Sequence, residues 1–174
     1  MPSILDILRN TPWWVFALLA ALTWLGFQAL KPRAVPLWRL LITPAIFIGW
    51  GVVSLALQSM SSPILVADWS AAAVVGAVIA STTTRLHDVG IDRTRQLVSL
   101  PGSALPLIRN VLIYSAKYGL GVAVAIAPAS KPDLAVWDIA VSGASAGYFL
   151  GWLLQFASAY RRTTDQNLAA QAQS

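Results

Sequence analysis

Residues 134–160 read LAVWDIAVSGASAGYFLGWLLQFASAY, a stretch with one charge, Asp138, and three glycines at a four-residue spacing, Gly143, Gly147 and Gly151. A hydrocarbon core about 30 Å thick is crossed by roughly 20 apolar residues in a helix. This stretch is longer than that, so tilt or an overhang beyond the lipid is expected. It predicts a membrane-crossing helix, and four further stretches meet the same requirement.

Working outward, the others are residues 104–127, 64–84, 40–58 and 12–30. Pro128 stops the fourth stretch, because a helix interior tolerates proline poorly. Asp133 is the expected N-cap of the fifth. Between the second and third, Ser62 is placed to cap and Pro63 to open the next helix. The first stretch begins with Pro12 and the Trp13–Trp14 pair, which suit a first turn at the membrane interface. Ahead of it, SILDILRN is short and amphipathic and suits the membrane surface. The first stretch is not expected to be a cleaved signal: it lacks a basic leader and is followed directly by Lys31-Pro32-Arg33.

Composition agrees. Of 174 residues, 57% are hydrophobic and 11% charged, with a mean hydropathy of +0.66. Soluble domains carry about 25% charged residues, so the polar surface is too small to coat a water-soluble globule. The twelve Lys and Arg against seven Asp give a net charge of +5. In a membrane chain such an excess reports topology, so no nucleic-acid partner is expected. Cysteine is absent, which excludes disulfides, thiolate nucleophiles and thiolate metal sites. A single histidine excludes paired axial haem ligands. No cofactor and no metal are expected.

The expected fold is all-α: one transmembrane bundle of about five spans. Lys31, Arg33 and Arg39 follow the first span, Arg85, Arg93 and Arg95 follow the third, and Arg161 and Arg162 follow the fifth. The opposite side offers Arg9 and Lys131. The positive-inside rule therefore gives an N-out, C-in chain with a polar tail, 161–174, in the cytosol. The cytoplasmic loop 85–103 reads as a small β-hairpin, with alternating apolar positions on either side of the turn-like Asp92-Arg93-Thr94-Arg95.

Gly143, Gly147 and Gly151 form a small-residue ridge, matched by Ala72, Gly76 and Ala80 on the third span. Helices in lipid associate by close van der Waals contact, which such ridges permit. Packing within the chain is favoured over a homo-oligomer contact. Lys117 is the most unusual residue, about twelve residues into the fourth span and so near the bilayer centre by residue counting. A salt bridge to Asp68 or Asp138 is possible but disfavoured, because helical side chains lean toward their own N-termini and these would lean apart. A small polar site of Lys117, Tyr114, Tyr118, Ser145 and Tyr148 is expected instead. Equally open is a lysine that merely snorkels along Tyr114 and Tyr118. Asp68 and Asp138 lie in first turns, where the helix dipole favours them structurally. His87–Asp88 reads as a solvated loop pair, Ser103 as the cap of the fourth span, and Arg109 as snorkelling to the cytosolic boundary.

The opening TPWWVFALLAALTWLGFQALKPR (11–33), the PGS-x-LPL start of the fourth span (101–107) and the Lys117–Tyr118 pair resemble an uncharacterised family of small bacterial inner-membrane proteins with four or five helices. The resemblance implies a bacterial cytoplasmic-membrane location and supplies no catalytic residues. The expected function is non-enzymatic, exerted through helix packing or a membrane partner within the lipid bilayer. The alternatives are a small transporter or permeation pathway with its polar site at Lys117, and anionic-lipid binding by the basic cytoplasmic loops.

Overall fold

The computed structural model describes residues 4–59, 62–84 and 89–165. In chain order these form α1 (Ile4–Asn10), α2 (Trp13–Gln28), β1 (Arg33–Pro36), α3 (Leu37–Ser59), α4 (Pro63–Thr83), β2 (Gly90–Asp92), β3 (Leu97–Leu100), α5 (Leu105–Ile126), a 3-10 turn at Pro128–Ser130, and α6 (Lys131–Arg162). Three helical segments, Leu37–Leu57, Pro63–Thr83 and Pro128–Arg162, are long and apolar enough to cross a membrane. Two of the five apolar stretches fall short of that mark. α2 has only 16 residues, and α5 carries Arg109, Asn110 and Lys117 among its 22.

Local chemistry sets the ends. Pro63 opens α4 at its first position with Ser62 before it, although the Ser62 hydroxyl makes no capping bond. Ser103 Oγ accepts the Leu105 backbone N–H at 3.2 Å, which secures the first turn of α5 from one residue ahead of its cap, Ala104. α6 begins earlier than expected, at Lys131, so Asp133 lies inside its first turn and does not cap it. Its carboxylate there still faces the positive end of the helix dipole.

α6 is the central element. Buried positions run along it from Ile139 to Phe156, and 56% of its apolar window is covered by the rest of the chain, against 17% and 11% for α3 and α4. Against α4 the approach is backbone to backbone. A Cβ added at Gly143 would meet the Trp69 carbonyl, one at Gly147 the Ala73 carbonyl, and one at Gly151 would stand 2.9 Å from Ala77. From the other side, a Cβ at Gly76 would meet the Ala144 carbonyl. The partners keep a constant offset along both chains, so α4 and α6 run parallel. Gly76 and Ala80 of the α4 ridge are buried, while Ala73 and Ala77, not singled out from the sequence, lie closest to Gly147 and Gly151. α3 joins from a second side, where the Phe47 and Phe149 rings stack at 4.5 Å.

One end of the bundle carries a three-stranded antiparallel sheet of order β1-β3-β2. This corrects an all-α expectation with only a hairpin-like loop: β1 pairs Arg33 with Leu100 and Pro36 with Leu97 across a long sequence separation. The hairpin pairs Ile91 with Val98. Its turn is built by the Asp92 carboxylate, which accepts the Arg95 N–H at 2.9 Å, and by Gln96 in the left-handed region at φ 53°. Isolated hairpins are marginal in water. This one is stabilised by a hydrophobic cluster in which Val89, Ile91 and Val98 pack with Phe156 of α6, flanked by Leu37, Leu40 and Trp152.

Arg93 ties the sheet to the end of α6. Its guanidinium donates to the Tyr160 and Thr163 carbonyls at 2.7 and 2.9 Å and lies over the Tyr160 ring, while its backbone N–H donates to Asp165 Oδ1 at 2.8 Å. A cation there satisfies helix-end carbonyls and meets the negative end of the dipole.

Candidate functional site

Polar residues on α5 recur at positions 110, 114, 117 and 118, a spacing that places them on one side of a helix. Three of them face α2. Asn110 Nδ2 donates to the Leu22 carbonyl at 3.4 Å, Tyr114 Oη to the Val15 carbonyl at 3.1 Å, and Tyr118 Oη lies 3.0 Å from Thr11 Oγ1. The Tyr114 and Tyr118 rings stack at 5.9 Å. At the sheet end the seam is held by the backbone: Ser103 N–H donates to the Ala29 carbonyl at 2.8 Å, and a Cβ at Gly102 would meet the Leu30 carbonyl. Only a glycine lets these two chain segments lie so close.

The fourth polar residue reaches a different helix. Lys117 Nζ donates to Asp138 Oδ1 at 2.7 Å and to the Asp138 carbonyl at 3.0 Å, joining α5 to α6. The disfavoured salt bridge is therefore the one that forms. Asp138 stands level with Lys117 because α6 begins as early as Lys131: Lys117 lies nine residues before the end of α5 at Ile126 and Asp138 seven after the start of α6, on either side of a short 3-10 turn. α5 starts level with the end of α2, and α2 is short, so twelve residues along α5 reach Thr11, beyond the far end of α2. Asp138 is at that level too, and the four-carbon lysine stem spans the remaining gap.

The expected five-residue cluster divides. Lys117, Tyr114 and Tyr118 stay together. Ser145 instead donates to the Val141 carbonyl of its own helix at 2.7 Å. Tyr148 lies ten residues beyond Asp138, or about 15 Å along α6, where it faces Arg109. Arg109 has neighbours that the sequence did not name. Its guanidinium lies 4.4 Å from the Phe149 ring centre and 5.4 Å from that of Tyr148. It also donates to Asn110 Oδ1 at 3.3 and 3.4 Å. Two adjacent polar residues, Arg109-Asn110, inside an apolar stretch were the available signal: the amide neutralises part of the cost of bringing the cation inward.

Beside the Lys117 trio, between α1, α2 and α5, lies a cleft of about 710 Å³. Asp6, Asn10, Thr11, Lys117 and Tyr118 give it a polar flank, and Trp14, Leu18, Val122 and Ile126 an apolar one. Its size falls within the roughly 300–1,000 Å³ of small-molecule sites. Among the described residues no group of three or more His, Asp, Glu or Cys could hold a metal ion. His87 and Asp88 lie outside the described residues.

A mostly helical bundle, three of whose helices are long and apolar enough to cross a membrane, with a small capping sheet and a polar seam beside a cleft, is the class of protein these features define. The chain belongs to DUF6622, a family of unknown function whose model matches residues 2–166, in keeping with the resemblance read from the sequence. No curated protein and no solved structure matches it.

Proposed function

We propose that the chain is a multi-pass integral protein of a bacterial cytoplasmic membrane, and that it acts without catalysis, through its bundle and a membrane partner. All five long helices cross, with the N-terminus outside and the sheet in the cytosol. The observation that carries this reading is bare apolar surface. Trp50, Leu57 and Ile64 are 69%, 81% and 75% exposed, and most of α3 and α4 is uncovered. Water does not tolerate contiguous faces of this kind without association; lipid does.

Lys31, Arg33, Arg39, Arg95, Arg161 and Arg162 all belong to the sheet end, which favours that end for the cytosol. α5 can cross despite its charges because Lys117 has Asp138 and Arg109 has Asn110. α2, about 24 Å long at 1.5 Å per residue, is short for a span, and Trp13 and Trp14 suit its outer boundary. The glycines of α6 meet α4 within the chain, so a partner is left the outer faces of α3 and α4. Reporter enzymes fused after Gln58 and after Arg95 are expected in opposite compartments; both on one side would overturn the topology. Purification in mild detergent is expected to bring down a second membrane protein, and a lone monodisperse monomer would overturn the partner reading.

A solute pathway is the second reading, favoured by the cleft beside Lys117. It requires that Lys117→Met, in protein that still folds, abolish flux.

A further inference from the structure

Of the polar groups around the cleft, the Asn10 amide donates one N–H to the Asp6 carbonyl at 2.8 Å and keeps a second, and the hydroxyl hydrogens can be assigned one by one. Thr11 Oγ1 donates its single hydrogen to the Ile7 carbonyl at 2.8 Å. Between Thr11 and Tyr118 the donor must then be Tyr118 Oη, at 3.0 Å. Both hydroxyls have no hydrogen left, and what they offer a ligand is lone pairs. Asp6, which also lines the cleft, already has a partner and adds the further lone pairs of its carboxylate. Lys117 has three N–H donors, of which Asp138 takes two. One positively charged donor remains for the cleft that Lys117 lines.

The site therefore asks for a ligand with an anionic acceptor at one point and N–H donors, preferably cationic, at another. Its outer walls say how such a ligand arrives. Trp14, Leu18 and Ile126 are 56%, 45% and 46% exposed, so the apolar flank opens sideways onto the faces that the lipid reading places against hydrocarbon. We infer that the cleft binds a phospholipid with a primary-amine headgroup, its phosphate at Lys117, its ammonium at Asp6, Thr11 and Tyr118, and an acyl chain leaving past Trp14 and Leu18. A choline headgroup lacks N–H donors for the three acceptors. A glycerol headgroup has donors but brings net negative charge toward Asp6.

The test uses the full chain in mild detergent and native mass spectrometry with dioleoyl phosphatidylethanolamine, phosphatidylcholine and phosphatidylglycerol of matched chains. Retention of the ethanolamine lipid is expected to exceed that of the choline lipid about tenfold, the scale of a charge-assisted hydrogen bond. Asp6→Asn, at an exposed position of α1, and Tyr118→Phe should each erase most of that preference, while Val75→Ala on α4 should keep it. Equal retention of the three lipids, a preference for the glycerol lipid, displacement by equimolar free phosphoethanolamine, or an undiminished preference in an Asp6→Asn protein that melts like the parent would each overturn the inference. It rests on the membrane reading. Recovery of the chain from the aqueous phase removes both, whereas equal retention by a chain that stays in detergent removes this one alone.

Discussion

Two seams hold the bundle together, and they are built on opposite principles. Between α4 and α6 the side chains are nearly absent: Gly143, Gly147 and Gly151 lie so close to the α4 backbone that no Cβ fits. Between α2 and α5 the side chains do the joining, with Asn110, Tyr114 and Tyr118 reaching Leu22, Val15 and Thr11. On the membrane reading proposed above, the hydrophobic effect does not favour helix over hydrocarbon as a neighbour, and these are the two available means of association. The first gains dispersion contacts over a long line and tolerates no added atom. The second gains a few bonds and leaves a gap between them, which here is the cleft.

Breaking the first seam should have the largest effect. Gly147→Leu drives a side chain into the Ala73 backbone on a rigid facing helix, and a loss of about 3 kcal/mol or more is expected from such overpacking. Thermal unfolding in detergent measures it; an unchanged midpoint would mean that the two helices are free to separate at little cost. Next in size is Asp138→Asn, which leaves Lys117 with a weakened partner and should cost about 1–3 kcal/mol. Adding Lys117→Met should recover part of that loss, and strict additivity of the two changes would show that the pair does not couple.

Tyr118→Phe sharpens the comparison, because it removes one bond of the second seam and no packing. Bonds of this kind between membrane helices average about 0.6 kcal/mol, so a small drop in midpoint is expected, and one as large as that of Gly147→Leu would erase the distinction between the seams. The smallest effect is expected at Gly119, where an added Cβ meets nothing within 4 Å. Gly119→Ala should be neutral or gain up to about 1 kcal/mol of helix propensity.

What the sequence made legible was periodic and local. Five apolar stretches are helices, and the hairpin at 90–100 follows from alternation around Asp92-Arg93. β1 was not legible: Arg-Ala-Val-Pro is four residues with no pattern of its own, and its partner Leu97–Leu100 lies beyond two intervening helices. The polar site was half legible. Lys117, Tyr114 and Tyr118 share one helix, so their spacing already joins them. Ser145, Tyr148 and Asp138 are on another helix, and placing them needed the register of α5 against α6, which is set by where α6 begins. The Arg109 guanidinium over Phe149 was missed for the same reason, since its depth was counted from a boundary and not from a neighbour.

The pairing of Arg33 with Leu100 also bears on how the molecule is made. During synthesis β1 leaves the ribosome before α3 and α4, and it stands as an unmatched edge until the hairpin emerges behind them. Arg93 in turn has nothing to clamp until Tyr160 and Thr163 exist. The cap is thus completed only after the end of α6 has appeared, and a truncated or wrongly threaded product carries an open strand edge, the kind of feature on which quality-control proteases and aggregation both act.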